Sequence, residues 1–162
     1  MTYLDRAYLL KQREPSIDDA TRDQFRDLVF NDALLKPKII DGIYDLLMAD
    51  RKGEMPDHAM FGDAIKMLHT LQVYHTFESI MLARSQEFIM AWADKECAKR
   101  ELPDYVAESV KLMDVEMKRC DQFELDLSTR RDLLTLLEDL LIKRKAAQLS
   151  KLIEAGATLI CD

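Results

Sequence analysis

The sequence predicts an all-α protein, and three observations carry that expectation. Only 4 Gly and 4 Pro punctuate 162 residues, too few for the many tight turns of an all-β fold. Apolar residues make up 48% of the chain, enough for a real core, and they recur at intervals of three and four. No strand-like pattern with a period of two stands out.

Each element has its own warrant. From Thr2 to about Arg13, Tyr3, Ala7 and Leu10 fall at i, i+4 and i+7, so the chain begins inside a helix that Pro15 stops. Ser16 caps the next helix, with Asp19 three residues on as an approximate capping box. Ile17, Ala20, Phe25, Leu28 and Val29 form its stripe, with one shift of face near Thr21. After a connection from Asn31 to Lys36, Pro37 suits a helix N1 position, where its missing N–H is harmless. Ile39, Ile40, Ile43, Leu46 and Leu47 follow with helical period. Gly53 is placed to end that helix in a left-handed turn, after the cationic Arg51 and Lys52.

Asp57 caps a helix carrying Phe61, Ile65, Leu68 and Leu71, and a break follows near Val73-Tyr74. A long helix from about Thr76 to Arg100 carries Phe77, Ile80, Met81, Phe88 and Trp92. Pro103 opens another, with Tyr105, Val106, Val110, Met113, Met117 and Cys120 on its inner side. Ser128 caps a last helix, whose Leu133, Leu134, Leu136, Leu137, Leu140 and Leu141 imply burial on two sides, and Gly156 would end it. The chain thus begins within one helix and stops just beyond an over-apolar one. That pattern suggests a piece of a stacked helical array, although no repeat of tetratricopeptide, ankyrin or armadillo length is visible.

Charge and cysteines narrow the function. The formal net charge is −7, whereas a non-specific nucleic-acid binder needs surplus Lys and Arg to release phosphate counterions. Direct nucleic-acid binding and an anionic membrane surface are both disfavoured. No stretch of about 18 apolar residues could span a bilayer. Cys97, Cys120 and Cys161 lack a CxxC pattern and read as reduced thiols of an intracellular protein with no signal peptide.

The expected catalytic set is none, and so are the expected cofactors and metals. A di-metal bundle needs Glu-x-x-His, which is absent, and Pro56 spoils the helical spacing of Glu54 and His58. His69, among Met67, Leu68 and Leu71, reads as a partly buried, hydrogen-bonded residue. The glycines are too scattered for a phosphate loop. Tyr3 and Arg6 differ: they lie one helical turn apart and belong to the residue types richest at the energetic centre of interfaces. An inward Tyr3 and an Arg6 paired with a nearby carboxylate explain the same residues equally well.

Taken in order, Tyr3-Leu4-Asp5-Arg6-Ala7-Tyr8, Arg51-Lys52-Gly53-Glu54, Leu71-Gln72-Val73-Tyr74, Pro103-Asp104-Tyr105, Arg119-Cys120 and Ser128-Thr129 resemble the N-terminal repeat region of the cullin family. The resemblance spans about residues 3 to 155 and leans toward the class that uses a triple-propeller, damaged-DNA-binding adaptor. It implies an elongated, stacked long-helix cullin-repeat array: residues 1–14 ending the first repeat, 15–126 forming the second, and 127–162 starting the third. It implies a non-catalytic scaffold of a RING ubiquitin ligase in nucleus and cytoplasm, a rigid spacer between adaptor and catalytic end. Tyr3, Arg6 and Leu10 would contact a substrate adaptor of propeller or BTB type. The RING protein would bind only through a C-terminal domain outside this sequence. A vesicle-tethering helical rod would share the long helices without an adaptor site, and a small helical enzyme would instead need a closed globule with a polar pocket.

Overall fold

The computed structural model describes residues 15–54, 57–143, 145, 146 and 150. Among them there is no strand; the elements are α1 (Ile17–Phe25), a first π turn (Arg26–Phe30), α2 (Leu35–Arg51), α3 (His58–Thr70), α4 (Tyr74–Cys97), α5 (Leu102–Gln122), α6 (Leu127–Leu137) and a second π turn (Glu138–Lys143). The chain divides after Phe77 into two compact units.

Local chemistry explains the helix starts. Ser16 Oγ accepts the Asp19 amide at 3.0 Å, the N-cap bond of α1. Asp57 does the same for α3, accepting from the Met60 amide at 3.0 Å. Two expected starts differ. Helix α2 begins at Leu35, so Pro37 stands at its third residue; Asp32 Oδ1 accepts the Leu34 and Leu35 amides and winds the chain earlier. Helix α6 begins after Asp126, which leaves Ser128 within the first turn.

Three helices end in one way. After α2, the Gly53 amide donates to Asp50 and the Glu54 amide to Ala49. After α3, Gln72 donates to His69 and Val73 to Leu68; after α5, Glu124 donates to Asp121 and Leu125 to Cys120. Each is a Schellman turn, whose hinge residue takes a left-handed conformation. The hinge φ angles are 77° at Gly53, 57° at Gln72 and 52° at Glu124.

In the first unit, α2 packs on the first π turn and on α3. Phe30, Ile40, Ile43, Tyr44, Leu47, Phe61, Ile65, Leu68, Leu71, Val73, Tyr74 and Phe77 form its buried apolar set. Phe61 meets Phe77 edge to face, with centroids 6.4 Å apart. Helix α1 has no buried residue. Its expected inward stripe is exposed at Ile17, Ala20, Phe25 and Leu28, and the chain buries Phe30 instead.

In the second unit, α5 packs on α6 and the second π turn. Ile89, Ala93, Cys120, Leu133, Leu137, Leu140 and Leu141 make the core, with Phe88, Trp92, Met113 and Met117 half-buried against it. On α4 the buried line is Met81, Ser85, Ile89 and Ala93, every fourth residue, so Phe88 and Trp92 flank the core without filling it. On α5, Val106 and Val110 face solvent, while Ser109, Glu116 and Arg119 are buried beside Tyr105 and Cys120. The expected inner side holds at Tyr105, Met113, Met117 and Cys120 and fails at Val106 and Val110, because inward polar residues take up part of that face.

Candidate functional site

The residues expected to contact an adaptor, Tyr3, Arg6 and Leu10, lie outside the described residues, as do Cys161 and Gly156. What is described next to them in sequence is α1. Ile17 and Leu28 are more than two-thirds exposed, and Phe25 is nearly half exposed. Ile17, Phe25 and Leu28 recur at i, i+8 and i+11, on one side of a helix. Asp18, Asp19, Asp23 and Asp27 border them, with Arg22 bonded to Asp19 at 3.1 Å and Arg26 to Asp23 at 2.8 Å. An exposed apolar stripe with an acidic border suits packing against protein, not against a polyanion.

The described ionisable groups of the first unit include His58 and His69, which differ in their surroundings. His58 sits 3.2 Å from Asp50, where α3 begins and α2 ends. His69 is exposed, stacked on Tyr74 with centroids 4.2 Å apart; the expectation that it is partly buried is corrected, because the ring covers Tyr74 from outside. Among the described residues, no three His, Cys, Asp or Glu side chains cluster as metal ligands would.

The second unit holds its polar groups in pairs. Glu116 and Arg119, one turn apart on α5, form an ion pair that is almost wholly buried. Thr129 Oγ1 donates to Glu78, tying the start of α6 to α4, and Ser128 Oγ donates to the same carboxylate at 3.4 Å. Lys145, largely buried, pairs with Asp94. Tyr105 donates its hydroxyl to the Leu141 carbonyl at 2.9 Å. Burial pushes the Tyr105 phenol up, which keeps it a donor. On the surface the Arg100 hydrogen bond holds the Glu96 carboxyl below its ordinary value, and the Lys111 bond does so for Glu108.

This arrangement fixes helix positions. Sequence reading missed the Glu116–Arg119 and Glu78–Thr129 pairings. Opposite charges three apart on α5, between Met113, Met117 and Cys120, were the available signal for the first. Glu78 and Thr129 are 51 residues apart, and nothing local announces that bond.

A family model described as the cullin alpha solenoid domain matches residues 1–160. The chain is 30% identical to Cullin-4A of Mus musculus over 162 residues, 99% of this chain and 21% of that protein. It is 26% identical to Cullin-4 of Dictyostelium discoideum over 144 residues, 88% of this chain and 18% of that protein. With Cullin-3A of Arabidopsis thaliana the identity is 23% over 159 residues, 96% of this chain and 22% of that protein. The chain therefore spans about a fifth of the length of these curated relatives.

Proposed function

The chain belongs to the cullin family, and from that premise we propose that it is a scaffold segment of a multisubunit RING ubiquitin ligase. Its task is spacing: helices packed in series hold a substrate adaptor at a set distance from the catalytic end. Fixing that distance raises the effective concentration of bound substrate at the transfer site without any chemistry in the spacer. The observation that carries this reading is the family match along nearly the whole chain. The described helices, with apolar cores and internally paired charges, support a part that positions without reacting. The family match does not favour the vesicle-tethering rod.

Within the proposal, residues 1–14 end one repeat, 15–126 form the next and 127–162 start a third. Tyr3, Arg6 and Leu10 contact the adaptor, of propeller or BTB type, in nucleus and cytoplasm. The sequence resemblance leans toward the propeller type. The test is co-purification of the protein, as its cell makes it, with purified adaptors of each type. Capture of one adaptor, abolished by Tyr3→Ala with Arg6→Glu, is the expected result. Equal capture by both chains overturns the site, and capture of neither adaptor by the unaltered protein overturns the function.

A further inference from the structure

Four buried residues on the last described helix are spaced by four: Leu133, Leu137, Leu141 and Lys145. In a straight α-helix three such steps drift by about 120° around the axis, as they do along Met81, Ser85, Ile89 and Ala93 of α4. The second π turn, Glu138–Lys143, lies across the later steps. Bonding from i to i+5 widens the turn, so each residue advances less around the axis, and the drift is taken back. Leu140 and Leu141, adjacent in sequence, are then both buried, and Lys145 arrives at Asp94.

Tyr105, on α5, bonds into this turn's backbone: its hydroxyl donates to the Leu141 carbonyl from 36 residues away. We propose that Tyr105 is a latch: its hydrogen bond holds the helix in the π register and so sets the rotational phase of Lys145 and Ala146 within the second unit. Without the latch, the turn winds back toward α geometry and Lys145 swings away from Asp94. Tyr105 is here a positioning residue that acts through the Leu141 backbone. The inference stands on helix geometry and is independent of the ligase reading.

A two-by-two comparison tests it, reading amide hydrogen exchange over residues 138–146 and the Lys145–Asp94 ion pair by NMR on the whole chain. Tyr105→Phe removes only the hydroxyl. Exchange in 138–146 is expected to quicken about five-fold, the worth of one net hydrogen bond, while Leu133 is unchanged and Lys145 separates from Asp94. Deleting the exposed Glu138 puts Leu137, Leu141 and Lys145 at i, i+3 and i+7, which an ordinary α-helix satisfies. In that background Tyr105→Phe is expected to change exchange by less than about two-fold. Equal quickening in both backgrounds, quickening spread over the whole second unit, or survival of the Lys145–Asp94 pair overturns the latch. Should the deleted chain fail to fold, the single change still decides: a local effect in which Lys145 leaves Asp94 supports the latch, and any other pattern sinks it.

Discussion

Up to Phe77 the buried side chains are almost all apolar, and five are aromatic: Phe30, Tyr44, Phe61, Tyr74 and Phe77. Beyond it the interior is mainly aliphatic, and it also contains Ser85, Ser109, Glu116, Arg119, Thr129 and Lys145. Among the described residues, Ser16 is the only polar side chain buried in the first unit, where it caps a helix. Apolar contacts are non-directional and fail in proportion to the volume removed. Polar ties are directional and penalise a wrong rotation or slide of one helix on another. The first unit is thus held by filling, and the second by filling plus register.

The largest expected effect tests the filled unit. Phe61→Ala, at a site with no exposed surface, should destabilise by about 4 kcal/mol in denaturant unfolding, and Phe61→Leu by less than half of that. If the two changes are equal, volume is not what holds that unit. In the other unit, Arg119→Met leaves the buried Glu116 without its ion-pair partner and should cost about 3 kcal/mol. Changing both residues to Met should recover most of the loss, since neither member of that ion pair is then left buried alone; a double variant as weak as the single one would erase the contrast. Thr129→Val keeps shape and removes one hydrogen bond to Glu78, with an expected loss of about 1 kcal/mol.

Smaller still is the response to acid at the surface. The Glu96 carboxyl is lowered from 4.5, first by its hydrogen bond to Arg100 at 2.8 Å. Its contribution is therefore complete above that ordinary value and fades as pH falls through the lower folded value. Glu96→Gln should shift the urea midpoint slightly at pH 7 and not at pH 2; an equal shift at both would separate the effect from charge. Least of all, Leu28→Ser in the first π turn should stay within about 0.5 kcal/mol of the unaltered protein by thermal unfolding. A larger loss would mean that the exposed stripe contributes to the first unit's core.

How far the fold could be read in advance follows the same divide. Ser16, Asp57 and Gly53 announced helix ends because cap chemistry is local. Phe61, Ile65, Leu68 and Leu71 gave their helix's inner face because the core they enter is apolar. Helix α5 was misread at Val106 and Val110, since Ser109, Glu116 and Arg119 turn inward only with partners that spacing does not reveal. The two π turns also escaped, because a widened turn has no residue signature. Of the candidate site, the expected Tyr3, Arg6 and Leu10 fall outside the described residues, and the exposed face of α1 was expected to be buried.

The hinges at Gln72 and Glu124 have a practical consequence. Both hold a bulky residue where Gly53 shows that glycine serves, and a side chain in that conformation is strained by roughly 1 kcal/mol. Glycine at both corners would return part of that strain, less what its looser unfolded chain forfeits. A sturdier protein is thus two codons away, at corners where neither exposed side chain fills a core.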